Sequence, residues 1–302
     1  MNVFIAGGSG TIGFPLVRSL VASGHQVTAL SRSAARHAEL RDIGASVAVA
    51  DALDRDGLIS AVANARPTHV VHQLTALPKA GPRSARDLEA TNRLRVEGTR
   101  NLLDAAIAAG VRRFVAGSFA ILSERDHAAS APVDAAAAAV RSMETQVLDA
   151  TRSGSIEGVV LRYGMFYGLD VPSTIAMIDM VRRRRLPIVR GDRGQLPLIQ
   201  IDDAVSATVL ALDHAPAASA YDIVDDRPSS LTEIAETIAE YTGAKRPITV
   251  PAWIPRLFAP YMARATSVRL PLSNAMAKRE LGWRPAYPSM REGLARILTQ
   301  AA

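Results

Sequence analysis

The chain has 302 residues, 48% of them apolar, and a formal charge of +6. That length and apolar share suit a compact folded chain and exclude an intrinsically disordered one. It has no cysteine, which excludes disulfides and thiolate chemistry, and its arginines are scattered rather than gathered into a nucleic-acid-binding module.

Strands and helices alternate from the start. Residues 3–7 (VFIAG) read as a strand and 11–22 as a helix. Residues 26–31 (QVTALS) and 46–50 (SVAVA) are strands, followed by helices over 34–42 and 55–64. THVVHQL (68–74) is a strand before a long helix over 86–109. RRFVAGS (112–118) is a strand before a helix over 134–151, and EGVVLRYG (157–164) is a further strand. Short apolar runs separated by helical periodicity imply a parallel sheet covered on both faces, a doubly wound α/β fold. Beyond residue 165 the regularity fades. A helix is expected over 169–185, then a short strand and a helix over 196–214 capped by Asp202 or Asp203. A strand returns near 219–225, and helical stretches lie near 230–242, 252–266, 273–281 and 289–299. The expected division is 1–165 for the sheet domain, with the returning strand, and 166–302 for a smaller, mostly helical lobe. No apolar run approaches the roughly 20 residues of a spanning helix, and no signal peptide is legible, so a cytoplasmic protein with no membrane partner is expected.

The first strand-to-helix turn is GGSGTIG, residues 7–13. Gly7 suits a tight turn, Gly10 a close approach of a pyrophosphate, and Gly13 close helix packing, with the helix N-terminus offering N–H groups to the phosphate. The second strand ends in Ser31, Arg32 and Ser33, with Arg36 one turn on. A carboxylate there would favour NAD(H). A guanidinium favours the 2′-phosphate of NADP(H), so NADP(H) is expected over NAD(H). The alternative for Arg32 is stacking on the adenine or facing solvent. Asp51, followed by Ala52, either bonds the adenine amine or caps a helix.

AGGSGTIG, ATNRLRVEGTRNLLDAAIAAGVRRFV, GVVLRYGMFYG, IQIDDAVSATVLAL and ELGWRPAYPSMREGL together make the chain resemble the extended short-chain dehydrogenase/reductase family, the NAD-dependent epimerase/dehydratase group. The resemblance spans nearly the whole chain and implies a Rossmann sheet with a C-terminal substrate lobe. It implies that Gly7, Gly10, Thr11, Ile12 and Gly13 hold the pyrophosphate and that Leu74, Thr75 and Ala76 run along the cofactor. It further implies that Asn92 ties the neighbouring strand and that Tyr163, Gly164 and Met165 lie beside the nicotinamide. Relatives commonly pair through the two long helices, so a homodimer is an expectation of the resemblance.

The family works with a tyrosine as acid/base and a lysine four residues later. Counted back from Glu144, those positions are Ala136 and Val140, and there is no tyrosine before Tyr163 and no lysine between Lys79 and Lys245. The chain is therefore similar to an atypical branch that lacks the Tyr-x-x-x-Lys pair. Ser118 is either a substrate-orienting hydroxyl or a structural group. Tyr163 is either a proton donor or a buried aromatic. Glu124, Asp126 and His127 follow the fifth strand at the expected mouth of the site; His127 is either an acid/base or a solvated loop residue. Arg182 to Arg185, Arg190 and Arg193 either touch substrate or lie in solvent. No histidine–carboxylate spacing suggests a metal.

The resulting expectation is an NADP(H)-dependent oxidoreductase, a reductase or isomerase of a small, specialised-metabolite substrate by a non-standard proton-transfer route. The alternatives are a nucleotide-sugar epimerase or dehydratase, and a non-catalytic NADP(H)-binding sensor or scaffold.

Overall fold

The computed structural model describes residues 1–78, 81–82, 84–123, 131–191, 194–251, 253 and 272–300. A seven-stranded parallel sheet runs through it in the order β10-β6-β5-β4-β1-β2-β3. Its strands are β1 (Asn2–Ala6), β2 (Gln26–Leu30), β3 (Ser46–Ala48), β4 (His69–His72), β5 (Arg113–Phe119), β6 (Glu157–Tyr163) and β10 (Ser219–Ile223). The strand order reverses between β1 and β4, and in such sheets ligands bind outside the carboxyl ends of the strands at that crevice.

Helices cover both faces because the central strands are apolar on both sides, as in the fully buried HVVH of β4. On one face α1 (Gly13–Ala22) and α9 (Ile201–His214) bury Leu16, Val17, Leu20, Ala204 and Ala211 against Val3, Ile5, Val71 and Val115. On the other, α3 (Arg55–Ala65), α5 (Thr99–Ala108) and α7 (Ala131–Arg152) bury Leu58, Leu102 and Val147 against Phe4, Val70, Phe114 and Val160. A third cluster packs β7 (Met165–Tyr167), β9 (Leu198–Gln200), α8 (Pro172–Arg182), α10 (Leu231–Thr242) and α12 (Met290–Gln300) around Tyr167, Val181, Ile238 and Leu294. The doubly wound sheet and the mostly helical C-terminal region agree with the fold class read from the sequence.

Three local features differ from expectation. The long helix is broken into a 3₁₀ turn (Ala85–Leu88), α4 (Glu89–Arg93), a π turn (Leu94–Gly98) and α5. Apolar periodicity over five residues does not separate an i→i+5 turn from an α-helix. The Gln146 side chain of α7 donates to the Val96 carbonyl at 3.2 Å, and a side chain entering the ladder is a recognised cause of such breaks. Helix α9 is capped by Gln200, not Asp202 or Asp203. Its side-chain oxygen accepts from both of their backbone N–H groups. The short strands β7, β8 (Ile188–Val189) and β11 (Thr249–Val250) were not legible, and the helix expected over 252–266 lies, except for residue 253, outside the described residues.

Candidate active site

The glycine turn sits where β1 ends. Gly7 has φ +92, and a Cβ there would lie 2.7 Å from the Gln73 carbonyl oxygen. A Cβ on Gly13 would lie 2.0 Å from the Gly7 carbonyl oxygen, so neither position admits a side chain. Gly10 is exposed, and a Cβ there would meet only the Gly7 oxygen, at 3.2 Å. Helix α1 starts after Ile12, which supplies no side-chain cap, and its first turn holds no acid. Phe14 N–H is taken by the Gly10 carbonyl at 3.0 Å and Pro15 has no N–H, so the Ile12 and Gly13 N–H groups and the dipole are left for an anion, with Thr11 exposed beside them. A pyrophosphate fits this cradle.

At the end of β2, the buried Ser31 hydroxyl donates to Ser9 at 3.0 Å and accepts from the Ser33 backbone at 3.2 Å. Arg32 does not stand free. Its Nη1 lies 3.2 Å from the Asp51 carboxylate, both side chains exposed. The Leu53 N–H and Arg32 hold the Asp51 carboxyl below the usual range, so it is ionised. Arg36 is turned to Glu39 and over the Phe14 ring, 5.4 Å from its centroid. Ala52 is buried, and its carbonyl accepts from Asn101 at 3.0 Å.

The loop after β4 is pinned from below. Burial brings the His72 pKa down to about 4, so the ring is neutral. Its Nδ1 accepts from the Leu74 N–H at 3.2 Å, which leaves Nε2–H for the Thr99 hydroxyl at 2.9 Å. The Ala76 N–H reaches the Thr91 hydroxyl at 2.9 Å, while Thr75 is exposed. Asn92 makes no tie to the neighbouring strand through its side-chain oxygen, which is buried without a partner. Gln73 is a wedge that sequence reasoning missed. Its Nε2 donates to the Tyr163 hydroxyl at 3.0 Å, and its Oε1 lies 2.1 Å from where a Gly117 Cβ would stand.

Ser118 lies at the end of β5, beside the end of β6. It is buried and donates to Glu144 Oε1 at 2.5 Å, in a carboxylate that also takes Arg162 Nη2 at 2.7 Å. Tyr163 is a buried aromatic whose hydroxyl lies 2.7 Å from that of Thr208. Burial raises its pKa to about 12, the opposite of what an acid/base near neutrality needs. Gly164 follows it. A Cβ there would lie 2.9 Å from the Pro197 oxygen, and Met165 N–H donates to that oxygen at 2.8 Å. Ala136 and Val140 are fully buried on α7. Glu124, Asp126, His127 and Arg193 lie outside the described residues. Arg182 to Arg185 are exposed at the end of α8, with Arg183 on Asp179 at 2.7 Å, and Arg190 is exposed. Among the described residues no group of three metal-ligating side chains occurs, and no helix is long and apolar enough to cross a membrane.

The NAD dependent epimerase/dehydratase family model matches residues 3–224. A 3-diazoavenalumate denitrifying reductase of a Streptomyces species is 39% identical, over 98% of this chain and all of its own. The UDP-glucose 4-epimerase of Thermus thermophilus, solved with NAD, is 25% identical with a TM-score of 0.77, covering 99% of this chain and 98% of its own. A dTDP-glucose 4,6-dehydratase of Streptomyces venezuelae, a double mutant solved with NAD and DAU, has a TM-score of 0.80 at 21% identity, covering 99% of this chain and 96% of its own.

These relatives correct the expected preference for NADP(H): the solved ones hold NAD. The physical reason is Asp51. The Arg32 guanidinium meets a carboxylate rather than an empty 2′-phosphate position, and that carboxylate repels a phosphate. The family model and the Thermus thermophilus epimerase favour the nucleotide-sugar epimerase or dehydratase alternative over the specialised reductase. The chain belongs to the NAD dependent epimerase/dehydratase family of Rossmann-fold oxidoreductases.

Proposed function

We propose that the protein is an NAD(H)-dependent oxidoreductase that delivers hydride to a small electrophile needing no proton from the enzyme. The observation that carries this reading is the apolar pair Ala136 and Val140, fully buried on α7, which a count back from Glu144 puts where the family would keep its tyrosine and lysine. Tyr163, with a pKa raised to about 12, does not replace them. Oxidation of an alcohol needs a base for the hydroxyl proton. Reduction of a diazonium carbon does not. The hydride pair forms the C–H bond, the C–N bond breaks with its electrons leaving on dinitrogen, and no net proton is consumed. The cofactor supplies the hydride; the glycine turn holds it, and Ser118, Glu144 and Arg162 brace the ends of β5 and β6 beside it. The reductase that shares 39% identity over the full length supports a diazo substrate of this kind. The same reading keeps residues 166–302 as the substrate lobe of a cytoplasmic enzyme.

The second reading, a nucleotide-sugar epimerase or dehydratase, is supported by the family model and the epimerase solved with NAD. One experiment separates the two. NADH oxidation is followed with an aryl diazonium carboxylate, and in parallel UDP-glucose and dTDP-glucose are incubated with NAD and analysed for epimer and dehydration product. Dinitrogen release coupled to NADH loss supports the first; sugar turnover without it replaces the first by the second.

A further inference from the structure

Arg95 is the described side chain whose state in the fold is least explained by its neighbours. It lies in the π turn, 7% exposed, and its Nη1 has no hydrogen-bond partner. Its pKa is lowered to about 10 by burial, and no carboxylate among the described residues holds it up. A buried guanidinium without an anion is costly, and proteins seldom keep one that has no counter-charge to receive.

The direction in which it points is set by its helix. Thr91, Arg95 and Thr99 are spaced by four and share a face. Thr91 holds the Ala76 N–H and Thr99 holds His72, so that face looks onto the end of β4 and the loop behind it. Helical side chains lean toward the N-terminus of their helix. In a β–α unit that is the end beside the carboxyl edge of the sheet, where the glycine turn also lies. Helix α7 flanks the π turn through the Gln146 to Val96 bond, and its buried face carries Ala136, Ala139, Val140 and Met143.

We propose that Arg95 anchors a carboxylate of the substrate at the inner end of the active site. The cofactor's pyrophosphate is not its partner: α1 packs on the opposite face of the sheet from Leu94, the residue before Arg95. A monoanion suits the site better than a phosphate dianion, because a single guanidinium matches a single negative charge. The planar fork of a guanidinium matches two carboxylate oxygens, and the apolar face of α7 suits a flat hydrocarbon body. The substrate class is therefore an aromatic or conjugated carboxylic acid. The inference rests on the proposed hydride-transfer reading for its substrate, but its test does not.

The test compares cinnamate with neutral cinnamamide, by calorimetry on the wild-type chain with NADH and again without it. Cinnamate is expected to bind at least about tenfold more tightly, the ratio that one charge-assisted pair supplies. Arg95→Met is expected to abolish that preference while leaving the NADH dissociation constant in place, and Arg95→Lys to keep part of it. Equal or absent binding of the two probes to wild type overturns the proposal, as does a preference that survives in Arg95→Met. If Arg95→Met does not fold, the wild-type comparison and Arg95→Lys decide alone. Failure of NADH to bind while cinnamate keeps its preference sinks the oxidoreductase reading and leaves the carboxylate anchor standing.

Discussion

The phenolic hydrogen of Tyr163 goes to Thr208. Their oxygens are 2.7 Å apart, and the Thr208 hydroxyl hydrogen is itself spent on the Ala204 carbonyl at 2.7 Å. The proton thus points into α9, away from the edge where a hydride would arrive. Tyr163→Phe is therefore expected to keep turnover within about twofold and to lose about 1–2 kcal/mol of stability, the cost of leaving the Gln73 amide without its acceptor and the Thr208 oxygen without its donor. Parallel kinetics and urea denaturation check this; a loss of activity with stability intact would restore Tyr163 to the chemistry.

Cofactor choice should follow Asp51. NADH is expected to bind more tightly than NADPH, and Asp51→Asn to narrow the gap by about tenfold by freeing Arg32 of its counter-charge. Fluorescence titration of both nucleotides against both proteins reads it directly.

Gly13→Ala places a methyl group 2.0 Å from the Gly7 carbonyl oxygen. The turn has to open, at a cost of about 1–3 kcal/mol. Loss of NADH binding with the sheet still folded, seen by circular dichroism, is the expected outcome. Normal binding would show that the turn does not hold the cofactor.

Asp225 gives a dependence on pH. Burial raises its pKa to about 8; the Tyr167 hydroxyl works against this, and the nearby Asp203 and Asp226 add to it. The unfolded chain ionises this group near pH 4 while the folded chain keeps its proton to about pH 8. Between those limits the unfolded state binds fewer protons, so the group lowers stability as pH rises, by about 1.4 kcal/mol per pH unit. Asp225→Asn should lack that slope. Denaturant midpoints of both proteins at about pH 5 and about pH 8 would show the variant gaining relative to wild type at the higher value.

The parts of the fold that were legible in the sequence were those set by local rules. Apolar runs marked the seven sheet strands, including Ser219–Ile223, which returns after a long excursion. The glycine turn was legible because its spacing is a steric requirement. Asp51 misled because an ion pair between residues 32 and 51 has no local signature: Arg32 read alone looks like a phosphate ligand. Arg95 was hidden for a related reason. It stands in a helical run rich in arginine, and only the packing of α7 against the π turn shows that this one is inside. The cap of α9 went to Gln200 because the two aspartates sit two and three residues past the strand end, already within the helix.

Gln73 joins positions far apart in the chain. Its carbonyl oxygen closes on Gly7, its side-chain oxygen fills the space above Gly117, and its amide nitrogen holds Tyr163. Residues 73, 117 and 163 therefore form one unit of inheritance. A shorter residue at 73 frees 117 to carry a side chain and releases the phenol at 163 from one of its two partners, whereas a change at 117 alone makes the glutamine side chain swing aside and give up that contact. Among homologues, residues 73, 117 and 163 should vary together or not at all, while Gly7, which meets the backbone of 73 rather than its side chain, stays constant whatever the other three become.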